Sequence, residues 1–535
     1  MNDSVNIDRH ARLISALRDP RRYPHPAERI EILETHISWV VLTGRYAYKI
    51  KKPVNLGFLD FTTLEKRRDC CREELRLNRR LAPGIYLDVV GITGSSEEPR
   101  IGGEGEIIEY AVKMAQFEQD QLASRLLDSG RLTPRHIEQL AGKIAVFHQQ
   151  AAVAVAGSRF GSPQTVKAQA MQNFDQIAAL PSAAEDSAAL RALRSWTERE
   201  AAVRDAGFRR RQSESRVREC HGDLHLGNIA LVGGEITPFD CIEFSAELRW
   251  NDVASEAAFL AMDLIDRHRP DFAFLFLSGY LEITGDYDAM TVLRFYLVYR
   301  AMVRAKVHCL RAHQPKIGEA ERKRLLGAFR DYLNLATQFT LSPRPSLIIM
   351  RGLSGSGKST ASHALLQALG AIRIRSDVER KRLHGMAALE RHARGLETGV
   401  YATDATQRVY RHLAQRAQEI IAAGYTVILD AAFLRRWQRS LMQSLARGLD
   451  VPFIIASLQA PESVLRERIL RRGGEGHDAS DADLAVLAHQ LATQDPLADD
   501  EPGSAVILDA AQSPGSLAAT PEWQALLRRA KTAAI

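Results

Sequence analysis

The chemistry of this chain is concentrated in a few short strings. The longest is Gly-Leu-Ser-Gly-Ser-Gly-Lys-Ser-Thr at positions 352–360. Glycines at this spacing let successive backbone N–H groups face a polyphosphate. Lys358 is then placed to reach the β- and γ-phosphates, and the Ser359 hydroxyl to ligate Mg2+. Gly352, Ser354, Gly355, Ser356, Gly357 and Thr360 complete the expected nucleotide contact. The setting strengthens the reading. An apolar run, Leu347–Met350, leads into the loop, and a helical run from Ala361 to Leu369 leaves it. A strand, a glycine loop and a helix start in that order predict a nucleoside triphosphate site in the C-terminal part.

A second cluster lies upstream: His221-Gly222-Asp223-Leu224-His225-Leu226-Gly227-Asn228, followed by Pro238-Phe239-Asp240. An acid, an asparagine and a second acid beyond an apolar hairpin suit phosphoryl transfer. One carboxylate takes the proton of the attacking hydroxyl, and the other two groups hold Mg2+ on the phosphates. Oxygen ligands fit that hard ion. A plain surface turn is one alternative. A zinc site from His221 and His225 with Cys220 and Cys241 is another. Two histidines at that spacing need a helix to align them, and Gly222 and Gly227 disfavour one. His148, in Val146-Phe147-His148, reads as a packing and hydrogen-bonding residue.

Past the glycine loop, Ile374-Arg375-Ser376-Asp377 ends an apolar run with an acid. At a strand's carboxyl end, Asp377 would take a proton from an acceptor hydroxyl, or it would cap the next helix. Arg380 is one helical turn on and could clamp an anionic part of the acceptor. Asp430 closes another apolar run, Thr426–Leu429, and is a candidate for a magnesium or acceptor role. Arg468 and Arg472 share a helix face, either toward the site or as a solvated basic face.

At 535 residues, two or three domains are expected. Hydrophobic content of 45% and charged content of 25% are those of a globular protein. The net charge of +6 would suit phosphorylated substrates, but an ordinary arginine-rich surface is the better explanation. No apolar stretch approaches the roughly 18 residues of a membrane span. The polar segment Met1 to Pro20 is unlike a signal peptide. Five cysteines, two of them adjacent, make no disulfide framework, so a reducing, cytoplasmic setting is expected.

Ser342-Pro343-Arg344-Pro345 reads as the main connector. Residues 1–340 form the expected N-terminal domain, 341–345 the linker and 346–535 the C-terminal domain. Downstream, Leu347–Met350, Ala371–Ile374, Thr426–Leu429, Phe453–Leu458 and Ala505–Leu508 alternate with helical segments. That predicts an α/β domain with a parallel sheet, with ligands at the strands' carboxyl ends. Gly473–Asp483 is polar and glycine-rich, a loop. Upstream, strands are expected at Ile37–Thr43, Tyr46–Ile50, Tyr86–Ile92 and Glu106–Met114, with a helix from Leu64 to Leu81. A mostly helical stretch follows and ends in a helix over Ile317–Phe339. This part reads as α+β.

The segment 221–240 resembles the catalytic and metal-binding segments of the aminoglycoside phosphotransferase-like kinases, which share the two-lobed protein-kinase fold. The resemblance implies Asp223 as catalytic base and Asn228 and Asp240 as Mg2+ ligands. It implies Lys49, in Tyr46-Ala47-Tyr48-Lys49, as the phosphate-binding lysine and Glu74 as its helix partner, with Lys51, Lys52 and Glu73 as competitors. Glu109-Tyr110-Ala111 resembles the hinge that binds adenine through its backbone, so Glu109 and Ala111 join the ATP contacts. Only Gly44 stands where a glycine-rich loop is expected. Residues 345–510 resemble the P-loop small-acceptor and polynucleotide kinases, the zeta-toxin sugar-nucleotide kinases and the chloramphenicol phosphotransferases through Ser376-Asp377 and Arg380. The loop string is also similar to that of adenylylsulfate kinase. In this group Arg468 and Arg472 fall on the lid. The order of parts resembles the bacterial bifunctional aminoglycoside phosphotransferase-like / P-loop ATP-binding (AAA-domain) fusion proteins.

These readings converge on two ATP- and Mg2+-dependent phosphotransferase sites with hydroxyl acceptors. The N-terminal acceptor is a small molecule. The C-terminal acceptor is a small molecule or a nucleotide or nucleic-acid end, the latter weakly supported at 7% aromatic content. No membrane partner is expected, and the oligomeric state stays open. The competing reading is an ATP-binding regulatory switch with little turnover.

Overall fold

The computed structural model describes residues 2–531 except 28, 56–58, 315–316, 342–343, 387–402, 476–482, 499, 502 and 513. By packing, the chain divides into two compact units. One comprises Met1–Thr165 with Arg210–Leu260, the other Val166–Arg209 with Ala261–Ile535.

The first unit is built on strands β1 (Glu31–Glu34), β2 (Ser38–Leu42), β3 (Tyr46–Lys51), β4 (Tyr86–Gly94), β5 (Pro99–Ile101) and β6 (Ile107–Ala115). They form one antiparallel sheet in the order β1-β2-β3-β6-β4-β5. Helix α1 (Asn2–Ala16) precedes the sheet, and α2 (Leu64–Asn78) follows β3. Thr63 starts α2 by accepting the Lys66 N–H. Cys71, Glu74 and Leu77 then recur every third residue, so one face is buried and a carboxylate goes in with it. Helix α3 (Pro134–Gln150) starts with a Thr133 cap and proline in its first turn, and buries Ile137, Leu140, Ile144 and Phe147. Strands β7 (Val217–Glu219) and β10 (Trp250–Asp252) pair with each other. Strands β8 (Ile229–Val232) and β9 (Glu235–Pro238) form a hairpin. Its Gly233-Gly234 turn has φ of 60° and 81°, which glycine adopts without strain. The expected strands are present within a few residues. The expected helix ends at Asn78 rather than Leu81. Helix α1 and the edge strands β1 and β5 are additions.

The second unit holds a five-stranded parallel sheet: β11 (Leu347–Arg351), β12 (Ile372–Arg375), β13 (Val427–Asp430), β14 (Phe453–Gln459) and β15 (Ala505–Asp509), in the order β12-β13-β11-β14-β15. All five coincide with the apolar runs. Strands β11 and β13 are buried along their whole length, as both faces of a parallel sheet demand. Helices of the same unit include α4 (Pro270–Thr284), α5 (Met290–Ala312), α6 (Glu319–Thr340), α7 (Lys358–Leu369), α8 (Ser376–Leu383), α9 (Thr403–Ala422), α10 (Arg436–Gly448) and α11 (Glu462–Glu475). Helix α4 covers the edge strand β12. Ser278 Oγ accepts the Arg373 N–H at 3.1 Å, and a Cβ on Gly370 would stand 3.0 Å from the Phe274 ring. Within the connector, Ser342 and Pro343 lie outside the described residues. The stretch expected as a loop from Gly473 begins instead as the end of α11; residues 476–482 lie outside the described residues. Among the described residues no helix is long and apolar enough to cross a membrane, and the five cysteines are free and buried.

A buried ion pair ties the sheet's surroundings together. Arg439 on α10 grips Glu501 with Nε at 2.7 Å and Nη2 at 2.9 Å, and donates to the Phe433 and Leu434 carbonyls just beyond β13. Removing the guanidinium strands a buried carboxylate and two carbonyls. Arg439→Met is therefore expected to cost about 3 kcal/mol of this unit's stability, read as a lower urea midpoint by circular dichroism.

Candidate active sites

In the first unit the polar site forms where β3, α2 and the segment 221–243 meet. Lys49 and Lys51 alternate along β3, so both project from one face. Lys49 Nζ donates to Glu74 Oε1 at 2.7 Å and to Asp240 Oδ1 at 2.5 Å. Lys51 Nζ lies 2.6 Å from Glu74 Oε2 and also donates to Glu243. Glu74 is fully buried. Burial alone would raise its carboxyl, but Lys49 and Lys51 outweigh it and hold the group at about 2. Burial opposes charge on Lys49 too, yet Asp240 and Glu74 keep it well above its ordinary value. Of the competitors, Glu73 turns instead to Arg76 and Arg249, and Lys52 to Glu34.

Asp240 has φ of 65°, a left-handed conformation that an aspartate tolerates better than most residues. Its N–H donates to the Tyr86 hydroxyl at 3.2 Å. Asn228 Nδ2 donates to both the Asp223 carbonyl and Asp223 Oδ2 at 3.0 Å, and the Phe239 N–H donates to the Asn228 carbonyl at 2.9 Å. Asp223, Asn228, Asp240 and Lys49 thus belong to one connected region. The Asp240 carboxylate and the Asn228 amide oxygen are a donor set that fits magnesium.

Glu256 supports this loop and was missed at the sequence level. It is fully buried and accepts the N–H of His221 at 3.1 Å, the N–H of Gly222 at 2.6 Å and His148 Nε2 at 2.7 Å. His221 Nε2 bonds the Phe239 carbonyl at 2.8 Å, and burial pushes this imidazole below its ordinary value. His148 therefore packs and hydrogen-bonds. The zinc alternative does not assemble: His221 and His225 are each tied to the local backbone, and the Gly227 N–H donates to His225 Nδ1 at 3.0 Å.

The hinge expectation is corrected. Glu109 and Ala111 lie inside β6, where Ala111 faces Ile50 of β3 and Val90 of β4. The Glu109 side chain is buried under Arg67 and His10 and not presented to a ligand. The chain leaves this sheet only after Ala115. There Gln116 Oε1 accepts the N–H groups of Thr43 at 3.0 Å and Gly44 at 2.9 Å. The β2–β3 turn is a pinned two-residue turn, shorter than a glycine-rich loop.

In the second unit β11 delivers the phosphate loop and α7 starts at Lys358. Gly355 and Gly357 have φ of 80° and 84°. A Cβ on Gly355 would stand 2.7 Å from the Leu465 carbonyl, and one on Gly352 2.9 Å from the Leu458 carbonyl, so both must be glycine. The Ser354 N–H donates to Gln490 Oε1 and Lys358 Nζ to the Leu353 carbonyl, both at 2.8 Å. Ser356 Oγ is buried and has no hydrogen-bond partner among the described residues. Ser359 and Thr360 open α7. One turn on, Ser362 Oγ donates to Asp430 Oδ2 at 3.1 Å, which joins the loop's helix to the acid at the end of β13. A hydroxyl and a carboxylate on this seam suit magnesium.

Asp377 lies in the first turn of α8, 3.6 Å from Arg380. The Tyr410 hydroxyl, pushed up to about 12 by burial, neighbours both, and the Phe433 N–H donates to it at 3.4 Å. Arg468 Nη1 is 3.9 Å from where a Cβ on Gly357 would sit, so the α11 guanidinium stands over the loop. The Arg472 side chain lies outside the described residues. A cavity of about 690 Å³ opens at the carboxyl ends of β14 and β15, at the far edge of the sheet from β12, lined by Gln459, Asp509 and Gln512 among others.

The family described as AAA domain matches residues 347–497. The uncharacterized protein Rv2004c of Mycobacterium tuberculosis is 31% identical over 466 residues, covering 87% of this chain and 91% of that protein. A gluconokinase of Gluconobacter oxydans is 31% identical over 167 residues, covering 31% of this chain and 83% of that protein. A solved spectinomycin phosphotransferase, in complex with ADP and spectinomycin, aligns with 62% of this chain and 98% of its own at 14% identity and a TM-score of 0.37. The N-terminal region is built on a six-stranded antiparallel sheet, and the C-terminal region has the parallel sheet and phosphate loop of a P-loop kinase domain.

Glu256 makes the first site acid-sensitive. Its carboxyl is held at about 2, against an ordinary 4.5: burial raises it, but the hydrogen bonds from His148 and Gly222 and the charges of His148 and His221 lower it further. The folded value lies below the unfolded one. The stabilisation is thus complete above pH 4.5 and is lost as pH falls toward 2. Glu256→Gln is expected to cost about 3 kcal/mol at neutral pH and to flatten the acid loss, measured by urea unfolding at about pH 7 and about pH 3.

Proposed function

We propose that this chain, which belongs to the same family as the mycobacterial protein Rv2004c, carries two separate ATP- and magnesium-dependent phosphotransferase sites. One observation carries the reading. Each unit gathers a cation for phosphate, oxygen donors for magnesium and a further carboxylate for the acceptor's proton.

In the N-terminal site, Lys49, fixed by Glu74, meets the phosphates. Asn228 and Asp240 would hold magnesium, which neutralises charge on the phosphoryl group being transferred. Asp223 takes the proton of the acceptor hydroxyl, and Asn228 keeps its carboxylate in place. In the C-terminal site the backbone of 352–360 cradles the phosphates, and Lys358 reaches the terminal one. Ser359 and Asp430 would hold the metal. Arg468, and Arg472 one turn on, answer the charge on the transferred group. Asp377 accepts the acceptor's proton and Arg380 orients an anionic part of it.

The acceptors are small hydroxyl-bearing molecules. For the C-terminal site the resemblance to a gluconokinase favours a small polyhydroxylated acceptor over a nucleic-acid end. Buried free cysteines suit a reducing cytoplasm. The motif residues proposed for the two sites fall on either side of the 341–345 connector, in 1–340 and 346–535, although packing assigns the chain from Ala261 onward to the second unit.

The test is an acceptor screen with labelled ATP on the full chain, repeated with Asp223→Asn and Asp377→Asn. Each substitution is expected to lower turnover of its own site's acceptor by roughly 100-fold to 10,000-fold and to leave the other unchanged. Unaltered turnover of every acceptor by both variants overturns the two-site reading.

A further inference from the structure

Glu282 lies in the last turn of α4, upstream of the connector, while the phosphate loop lies downstream. Its Oε2 accepts from Arg373 Nη2 at 3.1 Å and its Oε1 from Arg375 Nη1 at 3.4 Å. The two arginines alternate on edge strand β12, so both guanidinium groups leave the same face and repel each other. The shared carboxylate offsets that repulsion. All three side chains are mostly buried, at 17% exposure for Glu282, 13% for Arg373 and 15% for Arg375.

Both arginines reach onward to the phosphate-loop seam. Arg373 Nη1 donates to the Ser359 carbonyl at 3.3 Å. Arg375 Nε stands 3.9 Å from Asp430 Oδ2, an ion pair held short of hydrogen-bond distance. Helix α4 cannot drift, because Ser278 Oγ takes the Arg373 N–H and Arg382 donates to the Glu282 carbonyl. The clamp also reaches the acceptor helix: Arg382 pairs with Glu379 on α8, and Glu379 accepts from His412 Nε2 at 2.9 Å.

We propose that Glu282 is a positioning residue of the C-terminal site: it holds Arg375 back from Asp430, so that this carboxylate stays available to magnesium, and through Arg373 it fixes the start of the helix that carries Ser359. The inference rests on the phosphate-loop reading above. Without Glu282, Arg375 closes onto Asp430 in a charge-assisted hydrogen bond that magnesium must displace.

The experiment uses the full chain carrying Asp240→Asn, which removes a proposed magnesium ligand of the N-terminal site while leaving the buried Lys49–Glu74 pair in place. Calorimetry with ATP over a series of Mg2+ concentrations then reads the C-terminal site. Glu282→Gln is expected to raise the Mg2+ concentration for half-maximal ATP binding by about fivefold. Adding Arg375→Gln is expected to bring it back within about twofold of the parent, since the competitor for Asp430 is gone. A merely structural role would not be rescued by a second substitution. An unchanged Mg2+ requirement in Glu282→Gln, or an undiminished penalty in the double variant, overturns the proposal while leaving the site's function standing. Should circular dichroism show Glu282→Gln unfolded, Glu282→Asp carries the test, with a smaller increase supporting the proposal and none overturning it. A parent chain that binds no ATP at any Mg2+ concentration overturns the phosphate-loop reading and this inference together.

Discussion

A fully buried carboxylate between two ammonium groups organises the N-terminal site. Glu74 has no exposure and touches both Lys49 and Lys51. Two lysines two residues apart on a strand would repel, and each would resist burial. One carboxylate on α2 answers both, and Glu243 and Asp240 complete the neutralisation. Strand, helix and the loop after β9 are thereby locked to one another. Neither lysine can be removed alone without stranding a buried acid. Lys49, the cation proposed for phosphate, is thus fixed by its own protein partners, the kind of preorganisation on which electrostatic catalysis depends.

The same solution recurs on an unrelated scaffold. Arg373 and Arg375 alternate on β12, and one carboxylate from a neighbouring helix bridges them. Arginine replaces lysine because a guanidinium has several donors and can face two partners at once. Arg373 accordingly serves Glu282 and the Ser359 carbonyl together. In both units, then, two cations alternating on a strand are buried by one carboxylate brought from a helix.

Much of this was legible in the sequence because it is local. The phosphate loop, its strand and its helix are contiguous, and Asp223, Asn228 and Asp240 flank one hairpin within 18 residues. The five parallel strands read as apolar runs because both of their faces are buried. The errors were of two kinds. Edge strands such as β1, Glu-Ile-Leu-Glu with exposed ends, carry no clear apolar signature and were not assigned from the sequence. Glu109-Tyr110-Ala111 was matched to a hinge by resemblance although it lies within the strand expected over Glu106–Met114, and that glutamate is buried by pairing with Arg67 and His10. Glu256 and Glu282 carry no local signal. Glu256 acts on residues 34 and 35 positions away, and Glu282 on residues 91 and 93 positions away. Only the tertiary fold creates those contacts.

Glu282 also bears on how the chain is divided. The connector at 342–345 separates two motif sets, and a reader of motifs cuts there. Packing draws the line elsewhere, since α4, α5 and α6 lie in the same compact unit as the parallel sheet. The edge strand β12 explains why. Left bare, it would present unpaired backbone groups and two uncompensated guanidinium groups. Helix α4 removes both liabilities, by taking the Arg373 N–H on Ser278 and both arginines on Glu282. Arg294 of α5 adds a bond to the Ala423 carbonyl at 3.2 Å. A parallel sheet of this kind needs a cover on its edge, and here the cover is encoded upstream of the connector. Selection on the C-terminal site therefore constrains residues that motif reading assigns to the other half.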